Sequence, residues 1–187
     1  MVTIASLAKD ERSARVVLAA TLEPDDSTTG RLIAAVGAVE AVRLGSSTGA
    51  FPRAVGAIEG ELWRNKVAPR LDAGAVERAL DLTDRLGLGI LVPGDRDWPT
   101  GLADLGDRVP TTLWVHGATS FLAAPLHDRV TLTGARAATG YGEHVAGELA
   151  SDLTSTDRIV VAGGAYGIAR AAHHAALAAR GQTIAVL

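Results

Sequence analysis

Over the first 87 or so positions, apolar residues recur at helical spacing and are interrupted by glycine and proline, the pattern of several short helices. Asp10-Glu11 head a run from Arg12 to Leu22, with acidic residues where a helix dipole favours them, and Pro24 stops it. Gly30 to Val36 and Ala38 to Leu44 are two short helical runs divided by Gly37. After the loop Gly45-Ser46-Ser47-Thr48-Gly49, a longer run extends from about Pro52 to Val67 and is ended by Pro69. Asp72 is placed to cap a last helix, Ala75 to Leu86, with Glu77 supporting its first turn. Short helices joined by tight turns predict a small bundle that needs a neighbour.

The pattern changes at Gly87. Leu88 to Val92 is a short apolar run closed by Pro93-Gly94, which predicts a strand and a turn. Three more apolar runs, Thr111 to Val115, Val130 to Thr133 and Ile159 to Ala162, predict strands, and Thr183 to Leu187 a fifth. Helical segments lie between the last three, at about Gly142 to Leu153 and Gly167 to Ala179. Continuous apolar strands alternating with helices predict a parallel sheet covered on both faces, a Rossmann-type βαβαβ half. The fold class is therefore α/β. A helical domain over 1–87 is followed by a partial Rossmann-like domain over 88–187.

Composition narrows the chemistry more than the fold. The 187 residues are 48% hydrophobic and 21% charged, the balance of a globular protein. No apolar run approaches the roughly 18–20 residues needed to span a bilayer, and the N-terminus lacks the basic flank and apolar stretch of a signal peptide. With no cysteine there are neither disulfides nor thiolate metal sites, which fits a cytoplasmic location. A net charge of −3 excludes the broad basic field of a typical DNA-coating domain. Nucleic acid, if bound, is held by a local pocket. All but two of the 18 basic residues are arginine, which GC-rich codon usage explains as well as guanidinium chemistry does.

Two glycine-bearing turns stand where a phosphate could sit. The first is Val130-Thr131-Leu132-Thr133-Gly134-Ala135-Arg136-Ala137-Ala138-Thr139-Gly140-Tyr141-Gly142. The second is Ile159-Val160-Val161-Ala162-Gly163-Gly164-Ala165-Tyr166-Gly167-Ile168. Each follows a predicted strand and opens a helix, so glycine lets backbone approach a ligand and the helix start offers unpaired N–H groups to an anion. In a parallel sheet both turns fall on the same carboxyl edge, and Arg136 adds a planar cationic fork. Neither spells a dinucleotide or Walker fingerprint, and tight packing alone also produces such turns.

The larger arrangement resembles the DprA/Smf family. Gly134-Ala135-Arg136 followed by Thr139, Tyr141 and Gly142 is similar to that family's Gly-Ser-Arg and Tyr-Gly signature. Gly163-Gly164-Ala165-Tyr166-Gly167-Ile168, with Ala171-Ala172-His173 behind it, resembles the second glycine turn. Pro93-Gly94-Asp95, Trp98-Pro99, Leu102, Leu105, Pro110, Leu113, Trp114 and Gly117 follow the spacing of the segment before the family's sheet core. Asp10-Glu11-Arg12 and Gly37-Ala38-Val39-Glu40-Ala41 resemble its helical start.

The resemblance implies a sterile-alpha-motif-like helical domain joined to a Rossmann-like domain, without catalysis and without a cofactor. It implies single-stranded DNA binding and help in loading RecA during transformation, competence or recombination, with self-association as a homodimer. Carried over by position, Gly134, Ala135, Arg136, Thr139, Tyr141, Gly142, Gly163, Gly164, Tyr166, Gly167 and Arg170 form the DNA-facing or phosphate-facing set, with Tyr141 and Tyr166 available for base stacking. The chain departs from the pattern at three positions. Ala135, Ala162 and Ala169 stand where the family commonly has Ser, Ser and Asp, each a hydrogen bond worth on the order of 1.5–3 kcal/mol to a charged ligand. Arg170 offers partial compensation. The chain also stops at Leu187, where members continue through more sheet and often a winged helix. A shortened relative that binds a nucleotide or a protein partner is the alternative reading. A phosphoribohydrolase is a third, lacking here the Pro-Gly-Gly-x-Gly-Thr run and a Glu beside either turn.

Other residues carry blander expectations. His173 and His174 point about 100° apart on a helix and cannot share a metal simply, and His116, His127 and His144 have no acidic partner at ligand spacing. Asp95-Arg96-Asp97 reads as a solvated loop, and Arg12, Arg15, Arg64 and Arg70 as solvated helix faces. Trp63, Trp98 and Trp114 read as core or interdomain packing.

Overall fold

A computed structural model describes residues 2–187, which separate into two compact units, Met1–Thr119 and Ser120–Leu187. The change of sequence pattern at Gly87 falls inside the first unit.

The first unit contains six α-helices: α1 (Ile4–Leu7), α2 (Glu11–Thr21), α3 (Ser27–Val36), α4 (Ala38–Gly45), α5 (Ala57–Val67) and α6 (Ala73–Arg85). Side-chain caps define most of their starts. Asp10 accepts from the Ser13 amide at 2.8 Å, Asp26 from Thr29 at 2.9 Å and Asp72 from Gly74 at 3.0 Å. The α5 prediction begins five residues early, because Pro52 to Val55 fold as a turn and α5 starts after Gly56. The apolar faces converge on a core of Leu18, Leu32, Val42, Leu44, Trp63, Val67 and Val76.

Trp63 is only 3% exposed, and its Nε1 donates to Thr29 Oγ1 at 2.8 Å. Its ring meets Phe51 edge-on, at 6.1 Å and 86°. Arg64 corrects the expectation of a solvated face. Its guanidinium lies 4.3 Å over the Phe51 ring and donates to the Leu44 carbonyl at 2.9 Å and to the Gly49 carbonyl. A long side chain beside an aromatic ring and unpaired carbonyls gains more there than in water.

The first two strands, β1 (Gly89–Leu91) and β2 (Leu113–Val115), do not join the parallel sheet. They pair antiparallel with each other, Ile90 opposite Trp114. Side chains tie this ribbon to the helices. Arg12 donates to Asp95 and to the Ile90 carbonyl, Trp114 Nε1 donates to Thr83 Oγ1 at 3.0 Å, and the Leu88 amide reaches the Thr83 carbonyl at 2.9 Å. Asp95 is thus a structural staple and not part of a solvated loop. Asp97 likewise accepts from the Thr119 hydroxyl at 2.5 Å. Trp98 is buried within this unit.

The Val92 amide, at 2.9 Å, and then the Arg12 guanidinium hold the Asp95 carboxyl below the usual carboxylate range. A depressed acid stabilises the fold above its unfolded value, about 3.9, and loses that contribution as pH falls through its native value. Asp95→Asn is expected to cost about 1 kcal/mol at neutral pH, because the pair is partly solvated. It is also expected to flatten the acid limb of the urea-midpoint profile below about pH 4; an unchanged acid limb refutes the assignment.

The second unit follows the βαβαβ expectation: β3 (Arg129–Thr131), α7 (Gly140–Ser155), β4 (Ile159–Gly163), α8 (Ile168–Ala178) and β5 (Thr183–Val186). The strands pair in parallel in the order β3-β4-β5, with Val130 opposite Val160 and Val161 opposite Ile184. Two right-handed crossovers moving in one direction put both helices on one face, and α7 and α8 do pack against each other. The expectation of cover on both faces is therefore corrected: within this unit the helices cover one face. Covering both requires the strand order to reverse, and three consecutive strands in order do not reverse.

Ala150, Ala172 and Ala176 close on Val160, with Leu132, Leu153 and Ala175 around them. Alanine at i, i+4 spacing lets the helices lie close to each other and to β4.

Candidate nucleic-acid interface

The turns leaving β3 and β4 interlock. The Ile168 amide donates to the Ala135 carbonyl at 3.2 Å. A Cβ on Gly134 would come within 2.6 Å of Ile168 Cγ1, so only a bare α-carbon lets the side chain of Ile168 seat there. Gly167 has φ 74° and ψ −130°, a conformation reserved almost entirely for glycine. A Cβ on it would overlap the carbonyl oxygens of Ala135 and Arg136. The glycines thus serve packing between the two turns as well as access for a ligand.

The two helix starts differ in what they offer. Thr139 caps α7, accepting from the Gly142 amide at 3.1 Å, and Glu143 lies in that helix's first turn. Gly142 therefore has no free amide, while the Thr139 hydroxyl hydrogen stays available to a ligand. The sequence reading placed no Glu beside the turns; Glu143 is exposed at the head of α7 and disfavours an anion there. Helix α8 has no side-chain cap and no acidic residue in its first turn. The amides of Ala165 and Tyr166, just before it, have no acceptor among the described residues, while the β4–β5 register directs the Gly164 amide at Val186. The start of α8 is accordingly the more favourable anion position.

Each turn brings a cation, Arg136 after β3 and Arg170 in the first turn of α8. Arg136 and Arg170 are both exposed, and neither has an acidic partner among the described residues. Arg158, by contrast, is tied to Asp128 at 3.2 Å and to the His127 carbonyl. Tyr141 and Tyr166 are each 78% exposed, unusual for aromatic rings and suited to stacking on a base.

The three alanine departures do not share one environment. Ala135 is exposed, whereas Ala162 and Ala169 are buried at 2% and 7%. A polar side chain at either buried position would need an internal partner, so alanine there removes less from the exposed turn than the sequence suggests.

The sequence places His173 behind the second glycine turn but does not show its contacts. Its ring reaches the Gly163 carbonyl and the Thr183 hydroxyl, a link between α8 and both neighbouring strands that only the fold makes. Among the described residues no cluster of three or more His, Asp or Glu is placed to hold a metal. Among the described residues no helix is long and apolar enough to cross a membrane.

A parallel β-α-β-α-β unit with a glycine turn after each of its first two strands is the construction of a Rossmann-like protein. Comparison with known proteins specifies it further. The model of the DNA recombination-mediator protein A family matches residues 89–187. A Mycobacterium tuberculosis protein that carries the name DNA processing protein DprA is 36% identical over 184 residues in strain CDC 1551, covering 91% of this chain and 44% of the relative. The same match holds for the protein of strain H37Rv. The X-ray structure of DNA processing protein A from Streptococcus pneumoniae superposes with a TM-score of 0.60 at 19% identity, over 95% of this chain and 57% of that one, which supports the fold. The chain belongs to the DNA recombination-mediator protein A family. It spans less than half the length of the curated relatives it matches.

Proposed function

We propose that this chain binds single-stranded DNA across the two interlocked turns and, as a recombination mediator, favours the loading of a RecA-type recombinase. One observation carries the reading: the turn that opens α8 has free amides, the exposed Tyr166 and, just beyond it, the exposed, unpaired Arg170, and it interlocks with the turn that carries the exposed Arg136 and leads to the exposed Tyr141. Phosphates meet Arg136, Arg170 and the Ala165 and Tyr166 amides. Bases stack on Tyr141 and Tyr166, which do not discriminate between sequences. Gly134, Gly163 and Gly167 supply the close backbone, and Thr139 a hydroxyl donor.

Fluorescence anisotropy of a labelled oligo-dT at low and moderate salt tests the reading. The expected result is saturable, salt-sensitive binding that Arg136→Ala weakens about tenfold, as for one lost charge-assisted contact. The slope of log affinity on log salt should fall by about 0.7 for each phosphate contact removed. Equal affinity and equal slope for the two proteins overturn the assignment. Recombinase loading is read from the lag of RecA filament growth on the same oligonucleotide, and homodimer formation from sedimentation velocity.

A further inference from the structure

His173 lies on α8 and is half-buried, its ring turned toward both adjoining strands. Nδ1 is 2.7 Å from Thr183 Oγ1 on β5, and Nε2 is 3.2 Å from the carbonyl oxygen of Gly163, the last residue of β4. The Thr183 hydroxyl is 2.9 Å from the Val160 carbonyl.

Counting hydrogens decides what this network needs. The carbonyls only accept, and the hydroxyl has a single hydrogen. When Thr183 donates to Val160, its oxygen must accept from Nδ1–H. The Gly163 carbonyl must accept from Nε2–H. All three contacts together therefore require hydrogen on both ring nitrogens. A neutral ring leaves two acceptors facing each other at one of the three positions.

We propose that His173 is a positioning residue of the second glycine turn, its ring, when both nitrogens carry hydrogen, holding the Gly163 carbonyl and with it the shape in which the turn's free amides meet a bound phosphate. The C=O of residue 163 and the N–H of residue 164 share one planar trans peptide and point in opposite directions. Fixing the carbonyl thus also fixes the Gly164 amide, which the β4–β5 register directs at the Val186 carbonyl, and leaves the Ala165 and Tyr166 amides of the turn free. The inference rests on the reading that this turn binds single-stranded DNA, and it adds a proton-dependent control to that site.

The surroundings of the ring are simple in charge. The strands β4 and β5 that meet it carry no titratable side chain. On α8 itself Arg170 lies one turn earlier and His174 follows directly. Helix α7, packed along α8, carries Glu143, His144, Glu148 and Asp152, with His144 and Glu148 paired at 3.4 Å.

The test compares the intact chain with His173→Gln and His173→Leu from about pH 5.5 to 8.5, the range in which histidine titrates. Oligo-dT anisotropy gives affinity, and amide and imidazole NMR without DNA gives the state of the ring and of Gly164. Wild-type affinity is expected to fall about five- to tenfold toward the alkaline end, beyond any change in the variants, as one charge-assisted contact is lost. His173→Leu should bind weakly at every pH. His173→Gln, with a single amide in place of two ring donors, should bind at an intermediate level without the extra pH dependence. The Gly164 amide signal should move with the titration of the His173 ring. A Gly164 signal indifferent to that titration, or variants with the wild-type pH profile, overturns the proposal. If no protein binds oligo-dT while Gly164 still follows the ring, the DNA reading fails and the His173 clamp stands.

Discussion

Replacing Gly167 by alanine is expected to abolish saturable oligo-dT binding and to destabilise the Ser120–Leu187 unit by several kcal/mol. Two costs combine. The φ of 74° with ψ of −130° is strained for any residue with a Cβ, on the order of 1–3 kcal/mol. The added carbon also overlaps the carbonyls of Ala135 and Arg136, and moving backbone aside costs a further 1–3 kcal/mol or so. Relief of that overlap requires the two turns to separate, which breaks the Ile168 to Ala135 hydrogen bond and disperses the ligand contacts. Amide hydrogen exchange should show lost protection in β3, β4 and the first turn of α8. Gly140→Ala is the control, since a Cβ there meets nothing within 4 Å. Equal binding and protection in the two variants would mean that the turns are not interlocked as described.

The second large effect belongs to the helical unit. Trp63→Ala is expected to cost roughly 3–5 kcal/mol, the usual range for deleting a buried aromatic side chain. It removes the edge-on contact with Phe51 and leaves the Thr29 hydroxyl, itself 3% exposed, without its indole partner. Trp63→Phe should cost less, about 1–3 kcal/mol, because it keeps apolar volume and loses mainly the hydrogen bond. Ile58→Ala on the same helix, at a position 82% exposed, should change the urea midpoint little. A Trp63→Ala protein as stable as Ile58→Ala would remove Trp63 from the core.

The affinity and the stability experiments report on different parts of the chain. All three tryptophans lie in Met1–Thr119 and both tyrosines in Ser120–Leu187, so intrinsic fluorescence separates the two units. Loss of DNA binding in Gly167→Ala with an unchanged tryptophan transition is the pattern that a local failure of the turns predicts.

Local chemistry made much of this protein legible from its residues in order. Helix starts follow from Asp10 and Asp72, whose carboxylates reach amides two or three residues on, a distance the chain itself fixes. The β-α-β-α-β succession follows from apolar runs alternating with alanine-rich helices, and the turn sequences with Gly134-Ala135-Arg136 and Gly163-Gly164 locate the candidate site. Tertiary structure decided the rest, because it depends on which segments meet. Strand pairing separated β1 and β2 from the parallel sheet. Arg64 and Asp95 became internal staples because Phe51 and Arg12 lie beside them in space. Burial separated Ala135 from Ala162 and Ala169, three alanines that look alike in sequence. The contact of His173 with Gly163 and Thr183 joins residues ten positions apart on either side, and only the packing of α8 on β4 and β5 makes it. Hydrogen bonds and caps within one turn are set by chain geometry, whereas the partners of a side chain across the fold are set by the packing of whole elements.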